Sequence, residues 1–281
     1  MSDLAARLGG AMEAGRLSSR LWLYSNYHCN LACTYCLTES SPTAPPRLLS
    51  TDRMVALAQQ GKELGFRSIG VTGGEPFLRP DLVSVLTAIA AELPVLVLTN
   101  GTLFNPRRVE AMKPLLGAPH GVSLQISLDS ARAEDNDALR GEDNFQRVAE
   151  AVPRLLDAGF HVRVAATLDD EHPETDPALQ ALLDGWGVAR EDQILRPVVH
   201  RGRAVTHTMG VEAGSAQLGA ELTLTTAGAF WSPFGPTYRE GKLETDLLLV
   251  RRTEPLSVAA SAVMGLLDSR PELASDPAGF V

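Results

Sequence analysis

The chain has 281 residues, of which 44% are hydrophobic and 21% are charged, close to the usage of ordinary soluble proteins. This composition argues against a disordered, collagen-like or disulfide-scaffold protein, and the length allows one or two domains. Lys and Arg total 25 against 34 Asp and Glu, giving a net charge of −9 without a basic run typical of nucleic-acid binding. The sequence contains no apolar run long enough to cross a membrane and no signal-peptide core. We therefore expect a cytosolic protein with neither bulk nucleic acid nor membrane as a partner.

Strands and helices are predicted to alternate from residue 21 to residue 204. Before them, Leu4, Leu8 and Met12 fall four apart, which predicts a short amphipathic helix within residues 1–20. Six strands separated by five helices predict an α/β fold with a parallel sheet and right-handed crossovers. The predicted strands are residues 21–24, 68–72, 95–99, 122–128, 161–167 and 194–199, and the predicted helices are 51–64, 82–92, 106–116, 144–158 and 177–183.

The pattern changes after residue 205. The runs ELTLTT and AFW predict a β-hairpin, DLLLV predicts another strand, and residues 255–267 predict a final amphipathic helix. We expect residues 205–281 to form a separate C-terminal cap that covers the open side or mouth of the sheet and carries no metal.

All three cysteines of the chain, Cys29, Cys33 and Cys36, lie in one C-x3-C-x2-C loop after the first predicted strand. Iron–sulfur clusters normally have four cysteine ligands, and structural zinc sites are likewise closed by four protein ligands. Three thiolates leave one coordination position open, which favours a reactive centre. A zinc site completed by His28 or another histidine remains an alternative.

Two further features accompany the cysteines. They are Tyr35, directly before the last cysteine, and the segment Gly73-Gly74-Glu75-Pro76, after the second strand. Together with the cysteines, this set resembles the radical SAM superfamily, over roughly residues 20–204. The resemblance implies a partial (β/α)6 barrel with a C-terminal hairpin and helix as its cap. It also implies a [4Fe–4S] cluster on the three cysteines, whose open iron binds S-adenosylmethionine (SAM).

The activity implied by the resemblance is reductive cleavage of SAM. An external low-potential donor such as flavodoxin or ferredoxin would supply one electron, and a 5′-deoxyadenosyl radical would abstract hydrogen from a small-molecule or short-peptide substrate. Paired glycines allow a backbone to approach a ligand closely, and a carboxylate can accept hydrogen bonds from an ammonium group. The residues implied in SAM binding are Tyr35, Gly73, Gly74, Glu75, Pro76, Asn100, Ser127, Asp129, Arg140 and Thr167, with the neighbourhood of Arg196 beside the adenine.

The cysteine count limits the reaction, because one cluster uses every thiol. Sulfur insertion, thioether formation, methylation by a catalytic cysteine and thiol-dependent epimerisation are therefore disfavoured. The region after residue 205 weakly resembles the extension of peptide-modifying maturases. At the positions where those proteins carry cysteines, this chain has Glu212-Ala213-Gly214 and Trp231-Ser232-Pro233. An activase for a glycyl-radical enzyme and a non-catalytic zinc or iron–sulfur module are the alternative functions.

Four further residues have two interpretations each. His200, Arg201 and Arg203 suit either an anion at the barrel mouth or a set of ion pairs, and Trp231 suits either a substrate contact or a small core. Neither the substrate nor the reaction outcome follows from the sequence.

Overall fold

A computed structural model describes residues 2–169, 176–214 and 217–275 of the chain. The strands of the described residues are β1 Arg20–Tyr24, β2 Ser68–Thr72, β3 Val95–Thr99, β4 Val122–Ser127, β5 His161–Leu168, β6 Gln193–Pro197, β7 Thr223–Leu224, β8 Ala229–Phe230, β9 Tyr238–Arg239, β10 Lys242–Leu243 and β11 Leu248–Val250. Nine of them form one sheet in the order β11-β8-β7-β1-β2-β3-β4-β5-β6, and β9 and β10 form a separate pair.

The α-helices of the described residues precede, separate and follow these strands. They are α1 Ser2–Glu13, α2 Thr51–Glu63, α3 Leu82–Ala90, α4 Pro106–Met112, α5 Ala133–Arg140, α6 Asn144–Asp157, α7 Pro177–Trp186, α8 Arg203–Thr206 and α9 Leu256–Ser269. Strands β1 to β6 are parallel and neighbour one another in chain order, so the predicted α/β fold class and its parallel sheet are confirmed. None of the helices described is long and apolar enough to cross a membrane.

Successive side chains of a strand face either the hydrophobic core or a central cavity. In β1, Leu21 and Leu23 are fully buried in the hydrophobic core, whereas the intervening Trp22 and Tyr24 line the cavity. In β5, Val162 and Val164 belong to the core in the same way. Because successive side chains of a strand point to opposite faces, one face packs against the helices and the other faces a lumen.

Two helices differ from the sequence prediction. The predicted helix 106–116 ends at Met112 and continues as a 3₁₀ turn, Lys113–Gly117, because Pro114 has no N–H to donate and disfavours a longer α-helix. The prediction also missed α5 entirely. The buried positions of α5 are Asn136 and Arg140, so the helix has a polar inner face and no apolar periodicity.

The C-terminal hairpin joins the main sheet. Strand β7 pairs in parallel with β1 and antiparallel with β8, which in turn pairs with β11. The hairpin therefore covers the β1 edge by continuing the sheet, where we had expected a separate unit. Trp231 is buried in the hydrophobic core, so packing is the interpretation that its surroundings favour. The boundaries at residues 20 and 204 remain a prediction, and residues 1 and 276–281 of the proposed units lie outside the described residues.

Candidate functional site

The three cysteines lie on the loop between β1 and α2, at the carboxyl edge of the parallel strands. None of them forms a disulfide, and the backbone N–H of Cys36 donates to the Cys33 carbonyl at 3.2 Å. Burial raises the pKa of Cys29 to about 12 and that of Cys33 to about 11. The charge of Glu75 raises the pKa of Cys29 further, as do the neighbouring thiols of Cys33 and Cys36. Metal binding at such thiols must release protons.

The two glycines after β2 pack directly on the backbone that leads into this loop. A Cβ on Gly73 would lie 2.4 Å from the Asn26 carbonyl oxygen, and one on Gly74 would lie 2.2 Å from the His28 carbonyl oxygen. The N–H of Gly74 donates to Asn26 at 3.0 Å, and Gly73 has a φ of +150°. Glycine is therefore required here by contact between two loops of the protein itself.

Glu75 is fully buried, and its carboxylate accepts three hydrogen bonds from the protein around it. Oε1 accepts hydrogen bonds from the Phe77 N–H and the Thr99 hydroxyl, each at 2.9 Å, and Oε2 accepts one from the Asn100 N–H at 2.8 Å. Pro76 follows as the first residue of a 3₁₀ turn, Pro76–Leu78. The carboxylate expected to face SAM thus joins the loop after β2 to the loop after β3.

Asn100 touches the cysteine loop. Its Nδ2 lies 3.7 Å from the sulfur of Cys29 and donates to Asn30 Oδ1 at 2.9 Å, while its Oδ1 accepts from Thr102. Sequence analysis selected Asn100 but missed Asn30, whose polar side chain within the cysteine motif was the available signal.

Asp129 is the centre of a buried network that contains four of the predicted residues. Its carboxylate accepts from the Tyr35 hydroxyl at 2.5 Å, from Arg140 Nη2 at 2.8 Å and from the Thr167 N–H at 2.9 Å. The guanidinium of Arg140 also lies 5.5 Å from the centre of the Tyr35 ring. The remaining predicted residue, Ser127, lies at the end of β4 beside Ala165 and is partly buried.

The C-terminal end of α5 supports the cysteine loop. The N–H of Thr34 donates to the Leu139 carbonyl at 2.9 Å, and the Cys33 thiol lies 3.8 Å from the Arg140 carbonyl oxygen. The positive charges of Arg140 and Arg203 lower the pKa of Cys33 against the larger effect of burial. The helix that sequence analysis missed therefore holds one side of the predicted metal centre.

The segment after β6 holds the other side. Arg203 donates from Nη1 to the Cys33 carbonyl at 2.6 Å and from Nη2 to the Ser40 carbonyl at 3.0 Å, and its N–H donates to Cys36. Arg201 forms ion pairs with Glu244 and Asp246. Arg203 contacts the cysteine loop directly, a role that neither of its predicted interpretations included.

His200 is likewise held within the protein, since its ring Nδ1 lies 2.7 Å from the Met209 carbonyl oxygen. For His200 and Arg201, internal pairing is the interpretation that these contacts favour.

A cavity of about 460 Å³ lies inside the curved sheet and reaches the cysteine loop. Tyr35, Cys36 and Thr167 line its upper end, and Phe234 from the C-terminal segment lines its side. The chain therefore places a chamber for a small ligand next to the three cysteines.

The family model described as "Radical SAM superfamily" matches residues 23–183, more than half of the chain. The chain belongs to the radical SAM superfamily. Its cofactors are accordingly SAM and a [4Fe–4S] cluster, as the sequence predicts.

Relatives within the family are named as enzymes of different kinds. Mycofactocin maturase MftC of Mycolicibacterium smegmatis is 31% identical over 235 residues, covering 70% of this chain and 57% of that protein. GTP 3′,8-cyclase of Pectobacterium atrosepticum is 35% identical over 139 residues, covering 47% of this chain and 40% of that protein. The chain spans about half the length of these relatives.

Solved structures with the same fold share little sequence with this chain. SuiB of Streptococcus suis bound to S-adenosylmethionine has a TM-score of 0.56 and 17% identity, covering 74% of this chain and 47% of that one. The structure of anSMEcpe with AdoMet and the Cp18Cys peptide has a TM-score of 0.62 and 10% identity, covering 91% and 82%. These likenesses support the partial-barrel fold.

The donor set suits an iron–sulfur cluster better than a single zinc ion. In a [4Fe–4S] cluster each thiolate binds a different iron, whereas zinc draws four ligands around one centre. Across residues 2–169, 176–214 and 217–275, no group of three or more His, Cys, Asp and Glu side chains is arranged for one metal ion. His28, the candidate fourth zinc ligand, places its Nδ1 3.3 Å from the Ala44 carbonyl oxygen.

Proposed function

We propose that this protein is a radical SAM enzyme that abstracts hydrogen from a small-molecule or short-peptide substrate. A [4Fe–4S] cluster on Cys29, Cys33 and Cys36, with SAM at its open iron, supplies the chemistry of reductive C–S cleavage to a 5′-deoxyadenosyl radical. The observation that carries the proposal is the position of all three thiols on one braced loop beside the cavity. Flavodoxin or ferredoxin is the proposed class of electron donor.

The surrounding residues have three proposed tasks. The cysteine loop is held from three sides, by the side chain of Asn100, the backbone carbonyl of Arg140 and the guanidinium of Arg203. Glu75 and Asp129 act as positioning groups that fix the loops after β2, β3 and β4. The backbone of Gly73 and Gly74, together with Ser127 and Thr167, lines the space proposed for SAM. The cavity walls would hold the substrate in place and keep out solvent and competing reactants.

The proposed substrate range covers both peptides and small molecules. A maturase relative favours a peptide, as does SuiB, whose structure was also solved with its precursor peptide SuiA. The cyclase relative favours a small molecule. An activase for a glycyl-radical enzyme remains the alternative enzymatic function, because it also needs a single cluster.

The proposal is tested by anaerobic purification, reconstitution with iron and sulfide, and reduction in the presence of SAM. We expect a brown protein that forms 5′-deoxyadenosine, and faster formation when the correct metabolite or peptide is added. Transfer of a radical to a partner protein, without conversion of any small compound or peptide, would favour the activase. A colourless zinc protein that leaves SAM intact would contradict the proposal.

A further inference from the structure

One arginine in the cavity, Arg196, has no counterion among the residues that the structure describes. Arg196 lies on β6 beside Thr167 of β5, and both side chains line the cavity. The guanidinium donates a single hydrogen bond, from Nε to the Thr167 hydroxyl at 3.4 Å. Within the part of the chain that the structure describes, Arg196 forms no ion pair, so its two terminal nitrogens are available to a ligand in the cavity.

The other two arginines that line this cavity have different surroundings. Arg163 lies 3.5 Å from an Asp192 carboxylate oxygen, and Arg20 lies 5.3 Å from the centre of the Trp22 ring. The negative charge of Glu221 also raises the pKa of Arg20, against the larger effect of burial. Among the described residues, Arg163 therefore has a carboxylate partner within 4 Å, whereas Arg196 has none.

The pKa of Arg196 is lowered, which agrees with a buried positive charge that has no paired carboxylate among the described residues. Burial is the main cause that lowers its pKa, and the nearby positive charge of Arg140 lowers it further. Asp129 acts in the opposite direction, but its carboxylate is already bound by Arg140, Tyr35 and Thr167. Holding a cation away from water without a paired anion costs free energy, which an anionic ligand would recover.

We infer that Arg196 binds a carboxylate group of the substrate inside this cavity. The inference rests on the proposed function, since the substrate of that reaction is the ligand that would occupy the chamber beside the cysteine loop. The two terminal nitrogens form a fork that matches the two oxygens of a carboxylate. The Thr167 hydroxyl, which accepts from Nε, keeps its own hydrogen to donate to the same group.

The charge balance favours a carboxylate over a phosphate. One unmatched guanidinium neutralises one negative charge, whereas a phosphate monoester carries about −1.5 to −2 charges at neutral pH. A phosphate in this chamber would leave negative charge that the single unpaired guanidinium does not match. Inorganic phosphate is therefore expected to bind more weakly than a simple carboxylate.

The test compares butyrate with butyramide, a pair of similar shape that differs in charge. Each is titrated calorimetrically into the reconstituted, SAM-loaded protein, and inorganic phosphate is the third probe. We expect butyrate to bind, with butyramide and phosphate at least ten-fold weaker. Arg196→Gln should weaken butyrate binding at least ten-fold, and the control Arg163→Gln, which removes the arginine paired with Asp192, should not.

Three results of the titrations with butyrate, butyramide and phosphate would overturn the inference. These are equal binding of butyrate and butyramide, unchanged butyrate binding by Arg196→Gln, and tighter binding of phosphate than of butyrate. A loss of SAM affinity in Arg196→Gln would likewise overturn it, because the arginine would then serve the cofactor. Formation of 5′-deoxyadenosine by the wild-type protein is measured separately, so a failure of the proposed function is distinguishable from a failure of carboxylate binding.

Discussion

Arg203 Nη1 donates a 2.6 Å hydrogen bond to the carbonyl oxygen of Cys33, a residue that precedes it by 170 positions in the chain. Its Nη2 donates to Ser40, and its backbone N–H donates to Cys36. The start of α8, which follows the sixth parallel strand, is thereby tied to the loop that follows the first strand. This contact closes the site around the cysteines, although the sheet itself remains open.

Replacing Arg203 should weaken cluster binding. Arg203→Lys retains the charge but loses the fork that reaches two carbonyl groups at once. We expect about ten-fold weaker retention of iron under chelator challenge, the effect typical of losing a group that orients metal ligands. Arg201→Lys, at the neighbouring arginine that pairs with Glu244 and Asp246, is the control. Equal iron loss from both variants would argue against a specific role for Arg203.

Asp129→Asn should destabilise the fold, whereas the sequence alone suggested an effect on SAM binding with little change in stability. The substitution leaves the buried Arg140 guanidinium without its anion, which costs about 3–5 kcal/mol when a buried pair is broken. Urea unfolding of Asp129→Asn, Arg140→Met and the double variant measures the coupling. We expect the double variant to be more stable than Asp129→Asn. Additive losses would show that the pair does not act as a unit.

Glu75→Gln should change how stability depends on pH. Burial raises the pKa of Glu75 to about 7 in the folded protein, above the ordinary value of 4.5. The stability that this group contributes is fully present below pH 4.5 and is lost as the pH rises to about 7. The stability advantage of the wild type over Glu75→Gln should therefore shrink across that range in urea unfolding. Glu63→Gln, on the exposed side of α2, controls for the loss of one carboxylate.

At every pH, the free energy of unfolding of Glu75→Gln should also be about 1–3 kcal/mol lower than that of the wild type. The reason is that the amide nitrogen of glutamine would face a backbone N–H that donates to a carboxylate oxygen in the wild type. An unchanged unfolding midpoint, combined with weaker SAM binding, would restore the direct contact with SAM that the sequence suggested.

Gly202→Ala should disturb the cysteine loop. A Cβ at Gly202 would lie 2.4 Å from the Leu37 carbonyl oxygen and 2.8 Å from that of Cys36, at a φ of +59°. Gly187→Ala introduces a side chain at another positive φ, +85°, where no atom lies within 4 Å. We expect both variants to lose some stability and only Gly202→Ala to lose iron. Full iron content in Gly202→Ala would mean that the loop shifts without affecting the site.

The sequence predicted the elements whose signal is local. The strands from Leu21 to Val198 carry apolar runs, and the cysteine spacing is visible within eight positions. Helix α5 escaped prediction because Asn136 and Arg140 face inward, which reverses the usual apolar pattern. Its polar inner face is stabilised by Asp129 and Asn144, contacts that no periodicity reveals.

Residue roles were harder to predict than residue positions. Glu75 and Asp129 follow strand ends, where ligands bind in barrels, and both carboxylates also accept hydrogen bonds from the protein, so their contact with SAM stays a prediction. Arg203 could not be assigned from sequence because its partners are backbone carbonyls, which every residue has. Trp231 was equally ambiguous, since a buried indole and a substrate-facing one have the same residue type.

The most direct test of the account is a single-turnover assay of SAM cleavage with Cys33→Ala beside the wild type. Both proteins are reconstituted, reduced and mixed with SAM, and 5′-deoxyadenosine and methionine are measured together with iron. The account predicts equal amounts of the two products and about four irons per wild-type chain, the content of one [4Fe–4S] cluster. The variant should give neither product. Full cleavage by Cys33→Ala, or about eight irons with a second cluster in the wild type, would contradict it.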